Sequence, residues 1–258
     1  MPEPLYRLEL TPARLVHEEV RQCELDVFGH WYGNTPEEFA EAYGPYEERT
    51  AFLSVTRDDG RVMGTCRVIT PGPRGLKTLS DIGRQPWGVD ADRCVRAAGI
   101  DPARTWDIAT LAVRRELGAG GRLMVAAMYY GLIHATRVND CPWLVAIIDR
   151  RARSLLALLG FPMHAIPCTD PQFYMGSTAS APVFCHVPTV VAAQRTTDPE
   201  AYRLISAGQG LLDVRLPDDD VLVLPWSGDG GDRDGGDRDG DSDPLVDLRE
   251  AVEQIRPS

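Results

Sequence analysis

The chain is predicted to fold as an α/β protein built on a mixed sheet. Two observations predict it. "AFLSVTR" (51–57) and "RVMGTCRVIT" (61–70) flank Asp59-Gly60, a strong hairpin-turn signal between two strand-like runs. Further on, "TWDIATLAV" (105–113), an apolar helix over 122–138, "WLVAIID" (143–149) and "RRARSLLALLGF" (150–161) read strand, helix, strand, helix. A hairpin beside such a half makes a mixed sheet with helices against it.

The other elements follow in order. Leu15, Val20, Leu25 and Phe28 recur at near-helical spacing, so a helix is expected from Thr11 to about His30. In "NTPEEFAEAY", Thr35 is the expected N-cap, Pro36 the first helical residue, and Glu37 and Glu38 favour the first turn. Residues 71–104 carry Gly and Pro punctuation and two short helices, near Thr78–Ile82 and Ala91–Ala98. The helix over 122–138 is apolar almost all round, so it should be buried on more than one side. "WLVAIID" is apolar throughout, as a central buried strand is. The next helix should end at Gly160. Beyond Phe161, "APVFCHV" is an expected strand, "VVAAQR" and "DPEAYRLISAG" are expected helices, and "DDVLVLPW" is an expected last strand.

Composition bounds the function. The charge of −11 disfavours a broad basic face, so nucleic acid is not an expected partner. Six cysteines without a C-x-x-C spacing argue for reduced thiols rather than a zinc site or a disulfide scaffold. Histidines 17, 30, 134, 164 and 186 show no metal-ligand spacing, and no metal is expected. The N-terminus lacks a signal-peptide pattern, and the longest apolar run, "LMVAAMYYGLI", is too short to span a bilayer. A soluble cytoplasmic protein without membrane insertion is expected. From Ser227 the chain is Gly/Asp-rich and acidic, and it is expected to be mostly disordered because it has little apolar surface to bury. The expected division is a domain over 1–226, with its core at about 51–165 and a C-terminal extension over 166–226, then a tail over 227–258.

The stretch "RRELGAGGRL" (114–123) is the first candidate for chemistry. A helix N-terminus exposes N–H groups and the positive end of the helix dipole, and glycines let a pyrophosphate approach the backbone. A flexible turn explains the glycines equally well. Asp107 lies in "WDIATLAV", where strand alternation puts it on one face with Ala109, Leu111 and Val113. A carboxylate on an apolar face has its pKa raised toward that of a useful base; a solvated strand entrance is the alternative. Arg67 shares a face with Met63, Thr65 and Ile69, and a buried Arg needs an anionic partner. That partner is Asp107, Glu48 or a substrate carboxylate. Phe28 and Trp31 either wall a ligand pocket or belong to the core.

"RELGAGGRLM" and "DRRARSLLALLGF" together resemble the pyrophosphate loop and second motif of the GNAT acyltransferase superfamily. Asp149 stands for that motif's Asn, Ala152 and Gly160-Phe161 match, and Leu156 stands where the family usually has its Tyr general acid. The upstream half resembles one branch, the acyl-homoserine-lactone synthases and N-acyl amino acid synthases. Arg21, Phe28 and Trp31 match the first-helix set, Gly64 and Arg67 the Gly-x-x-Arg, and Trp106-Asp107 the Trp-Glu. Glu47 and Glu48 loosely represent the branch's acidic residues, and Ala109-Thr110 stands where it has Ser-Arg.

The resemblance covers about 51–165 and implies a GNAT-like, mostly antiparallel mixed sheet flanked by helices. It also implies an enzyme that moves an acyl group from an acyl-CoA or acyl-phosphopantetheine thioester, the latter on an acyl carrier protein, to a small-molecule amine. Asp107 and Arg67 would be catalytic. The donor would lie against Leu111, Val113, Arg115, Gly118, Ala119, Gly120, Gly121 and Arg122. Arg21, Phe28, Trp31 and Trp106 would bind substrate. An arginine patch of residues 114, 115, 122, 150, 151 and 153 would face a carrier protein. The rival expectations are an acetyl-CoA-dependent N-acetyltransferase and a catalytically silent ligand-binding or interaction module.

Overall fold

The computed structural model describes residues 5–114 and 121–226. The chain divides into two units, residues 1–224 and 225–258, and the first holds the sheet and its helices. The expected tail over 227–258 lies outside the described residues, as do residues 115–120 of the glycine loop.

The described strands form one nine-stranded sheet, in the order β6-β8-β5-β4-β3-β2-β1-β9, with β7 paired to β8. The strands are β1 (Tyr6–Pro12), β2 (Thr50–Arg57), β3 (Val62–Ile69), β4 (Thr105–Val113), β5 (Trp143–Asp149), β6 (His164–Ala165), β7 (Gln172–Tyr174), β8 (Ser177–His186) and β9 (Val214–Arg215). The β4–β5 and β1–β9 pairs are parallel and the other pairs antiparallel. The sheet is therefore mixed and mostly antiparallel, as expected. The β2–β3 hairpin turns at Gly60, whose φ of +87° is one that glycine adopts without strain.

Helices cover both faces. They are α1 (Glu18–Tyr32), α2 (Pro36–Tyr43), α3 (Lys77–Ile82), α4 (Ala91–Ala97), α5 (Gly121–Val138), α6 (Arg150–Leu158) and α7 (Val187–Thr197). Adjacent β2 residues point to opposite faces. Phe52 packs with Val20 and Cys23 of α1, whereas Leu53 lies where a Cβ on Gly131 of α5 would meet it at 2.9 Å. So α1 and α5 sandwich the sheet. Thr35 caps α2 through a reciprocal capping box with Glu38, the signal read in the sequence.

Three expectations need correction. The first helix begins at Glu18, not Thr11: residues 6–12 form β1, whose Leu8 and Leu10 alternate into the core. Residues 219–222 form a 3₁₀ turn rather than a strand, and the last pairing is the two-residue β9. The alternation read along β4 breaks. Pairing steps from Arg67↔Thr110 to Val68↔Ile108, leaving Ala109 as the extra residue of a β-bulge. Asp107 and Thr110 therefore both face α1–α3, while Leu111 and Val113, opposite Cys66 and Gly64, face α5.

Candidate active site

The site grows from a divergence in the sheet. β4 and β5 pair only at Thr105↔Trp143, Trp106↔Leu144 and Asp107↔Val145. Beyond Asp107 the two strands separate, so one edge of β4 from Ile108 to Val113 faces a gap. Parallel strands that part in this way leave backbone groups for a ligand to use. The gap is a cavity of about 430 Å³ passing through the sheet layer, with Phe28 and Trp31 of α1 on one side and Tyr129 and Leu132 of α5 on the other. Leu111 and Val113 line its β4 wall; Leu156 and Phe161 line the far wall.

At one end the cavity narrows to a neck of about 120 Å³ bounded by Tyr32, Tyr43, Thr110, Asp149, Tyr174 and Met175. Beyond Tyr32, Tyr174 and Met175 lies a polar pocket of about 770 Å³ that carries Glu38, Glu41, Arg74, Lys77, Asp81 and Arg84. An apolar chamber, a narrow neck and a polar pocket are thus arranged in series.

Asp107 is 1% exposed. Its Oδ2 accepts from the Thr78 N–H at 2.5 Å and its Oδ1 from the Thr78 hydroxyl at 2.8 Å. Burial pushes its carboxyl up to about 6 against the pull of those two bonds and of Lys77, with Asp81 adding to the rise. Asp107 does not itself line the three spaces, although the next residue, Ile108, lines both chamber and neck.

Arg67 pairs with neither Asp107 nor Glu48. Its Nε and Nη2 reach the Glu24 carboxylate at 2.9 and 2.5 Å, and the guanidinium stacks between the Tyr43 and Phe52 rings. Glu24 also accepts from the Thr110 hydroxyl, and Glu47 lies 3.7 Å from Arg67. Glu24 comes from the turn of α1 that faces β3, so the i,i+3 spacing from Arg21 set both residues on one helix face. Arg21 bonds Glu47 and the Ala13 carbonyl. Glu24, Arg67 and Thr110 form a buried network beside the neck, which Arg21 and Glu47 extend toward the surface.

Phe28 lines the chamber and neck, and Trp31, half exposed, stands at the chamber mouth. Trp106 is 1% exposed and sits in the core rather than on a cavity wall. Gly121 opens α5 and Arg122 is exposed beside it, while Arg115, Gly118, Ala119 and Gly120 lie outside the described residues. Arg114 does not face a partner. It bonds the Val62 carbonyl, Asp26 and Glu19, because α1 crosses that end of β3 and β4.

Several polar residues of the neck and the polar pocket are not marked as site residues by the sequence. Lys77 is the chain's sole lysine; it is buried and bonded to Asp81 and the Tyr174 hydroxyl. Tyr32 donates to Asp149 Oδ2 at 2.5 Å. Lys77's singularity was the available signal. Tyr32 had none, because nothing local links it to Asp149 across 117 residues.

No protein-family model matches the chain, and no curated protein matches it by sequence. Solved structures do match. One is a CoA-dependent acyl-homoserine lactone synthase, BjaI, with SAM and isopentyl-CoA: TM-score 0.51, 16% identity, covering 85% of this chain and 97% of that one. Another is FeeM, an N-acyl amino acid synthase from uncultured soil microbes: TM-score 0.52, 14% identity, covering 71% of this chain and 96% of that one. The fold is that of the GNAT acyltransferases. In this GNAT-like fold the parted β4 and β5, the bulge at Ala109 and the chamber fall within the region the sequence motifs had marked.

Among the described residues, no helix is long and apolar enough to cross a membrane.

Proposed function

We propose that this protein is an N-acyltransferase that takes an acyl group from a CoA or carrier-protein thioester and places it on the amine of a small polar molecule. The observation that carries this reading is the series of spaces at the β4–β5 gap. The thioester arm would lie along the open edge of β4, with its acyl chain in the apolar chamber. Backbone N–H groups near Leu111–Val113 would polarise the thioester carbonyl. The acceptor would occupy the polar pocket, whose acids and bases in close balance suit a molecule carrying both charges. The names of the similar proteins, a lactone synthase held with SAM and isopentyl-CoA and an N-acyl amino acid synthase, support both halves.

An amine attacks only when deprotonated, and Asp107, with its carboxyl pushed up to about 6, is the proposed base for the acceptor's first proton, acting through an intervening water. Arg67 holds Glu24 and Thr110, and so fixes the β4 bulge against α1. A chamber of this size favours a donor longer than acetyl.

Incubation of the full chain with acetyl-CoA or decanoyl-CoA, pooled amino acids and S-adenosylmethionine, read by mass spectrometry, tests the proposal. Decanoyl transfer at least about 10-fold faster than acetyl transfer is expected. Preference for acetyl-CoA would shift the reading to an acetyltransferase. Binding without transfer would leave a silent module.

A further inference from the structure

The neck holds a pair of groups with no role in the reading above. Tyr32, the last residue of α1, lines the chamber, the neck and the polar pocket alike. Its hydroxyl donates to Asp149 Oδ2 at 2.5 Å. Asp149 lines the chamber and neck, and its Oδ1 accepts from the Ala152 N–H at 2.7 Å, capping α6.

Both groups are held in place. Gly33 ends α1 with φ +73° directly after Tyr32. Gly176 packs so closely that a Cβ there would lie 2.2 Å from the Tyr32 carbonyl oxygen. Three neighbouring polar side chains are committed elsewhere: Thr110 to Glu24, Tyr174 to Asp81, and Tyr43 to the Met175 sulfur.

Acyl transfer to an ammonium removes two protons from nitrogen. The first must leave before attack. The second leaves after the C–N bond forms, while the C–S bond breaks and the sulfur departs with the electron pair. An alkyl thiol is a weak acid, with a pKa of about 8.5, so its thiolate leaves faster when protonated in step. A phenol that donates to a carboxylate is a poor acid, and burial and Asp149 both push the Tyr32 hydroxyl up. Once Asp149 takes a proton, the part of that rise due to its charge is gone and the part due to burial remains.

Resting on the acyl-transfer reading, we propose that Tyr32 and Asp149 form a proton relay from the attacking nitrogen to the leaving sulfur. Asp149 accepts the nitrogen's second proton as Tyr32 gives its own to sulfur. The proton on Asp149 then passes to the Tyr32 oxygen and restores the pair. One proton moves from nitrogen to sulfur and nothing else is consumed.

The test compares two decanoyl donors, decanoyl-CoA and the S-phenyl thioester, with the same amino-acid and S-adenosylmethionine pool. Phenylthiolate is a good leaving group and needs no proton. Tyr32→Phe should slow decanoyl-CoA at least about 100-fold and the phenyl thioester less than about 3-fold. Asp149→Asn, which still caps a helix, removes the acceptor for the nitrogen's proton with both donors and the proton's return to Tyr32 as well; it should slow decanoyl-CoA at least about 10-fold more than the phenyl thioester, and it reads the relay if Tyr32→Phe does not fold. Equal losses on both donors, or no loss on either, would overturn the relay while wild-type turnover stands. Absence of wild-type turnover with both donors would remove the acyl-transfer reading itself and the relay with it.

Discussion

At the scale of single residues, Asp107 shows how burial and hydrogen bonding pull on one carboxyl in opposite directions. Its pKa rises from an ordinary 3.8 to about 6 because its 1%-exposed site penalises the charge more than Thr78 and Lys77 offset it. The folded chain therefore holds this proton at pH values where the unfolded chain has lost it. That contribution is full below about pH 3.8 and is lost as pH rises through about 6, on the order of 3 kcal/mol in all. Asn at 107 is neutral throughout; its amide still accepts from the Thr78 N–H and donates toward the Thr78 hydroxyl. Asp107→Asn should therefore gain in Tm over wild type as pH rises from 4 to 7, while decanoyl transfer falls at least about 100-fold. Parallel Tm curves would show that the carboxyl is not held up. Full activity would remove it as the base.

Elements were legible where local signals dictate them. The β2–β3 hairpin, the capping box of α2, α5 and the β4, β5 and α6 run all form close to where turn chemistry and periodicity place them. What was missed depends on distant partners. β1 is a strand whose identity comes from pairing with β2 and, over two residues, with β9, and the bulge at Ala109 exists because of register with β3. The site divides in the same way. Leu111, Val113 and Phe28 do line the chamber, but Glu24, Lys77, Tyr32 and Asp149 acquire their partners only through folding.

Helix α6 carries a prediction at this scale. Its N-terminus beside the chamber presents exposed Arg150 and Arg151, and Arg151 lines the chamber. With Arg114 occupied by α1 carboxylates, these two are the stronger candidates for docking an acidic carrier protein. Arg150→Glu with Arg151→Glu should raise the KM for a decanoyl carrier-protein donor about 10-fold at low salt, and less at high salt. An unchanged KM in steady-state assays would eliminate this docking face.

On the scale of the whole molecule, the gap between β4 and β5 carries the proposed function because it joins the two sides of the sheet. A fully paired sheet would bury Leu111 and Val113 against a neighbouring strand and leave no room for a chain. Here the passage runs from α1 to α5, and Leu132, 3% exposed on α5, stands at its far side. Overpacking a closed core costs about 1–3 kcal/mol, but a side chain that grows into an existing cavity fills space already present. Leu132→Trp should therefore leave Tm within a few degrees of wild type while shortening the chamber. If the acyl chain lies there, kcat/KM for decanoyl-CoA should fall at least about 30-fold while that for hexanoyl-CoA changes less than about 3-fold. A proportionate loss across acetyl-, hexanoyl- and decanoyl-CoA would mean that the chain lies elsewhere and that the chamber serves another ligand.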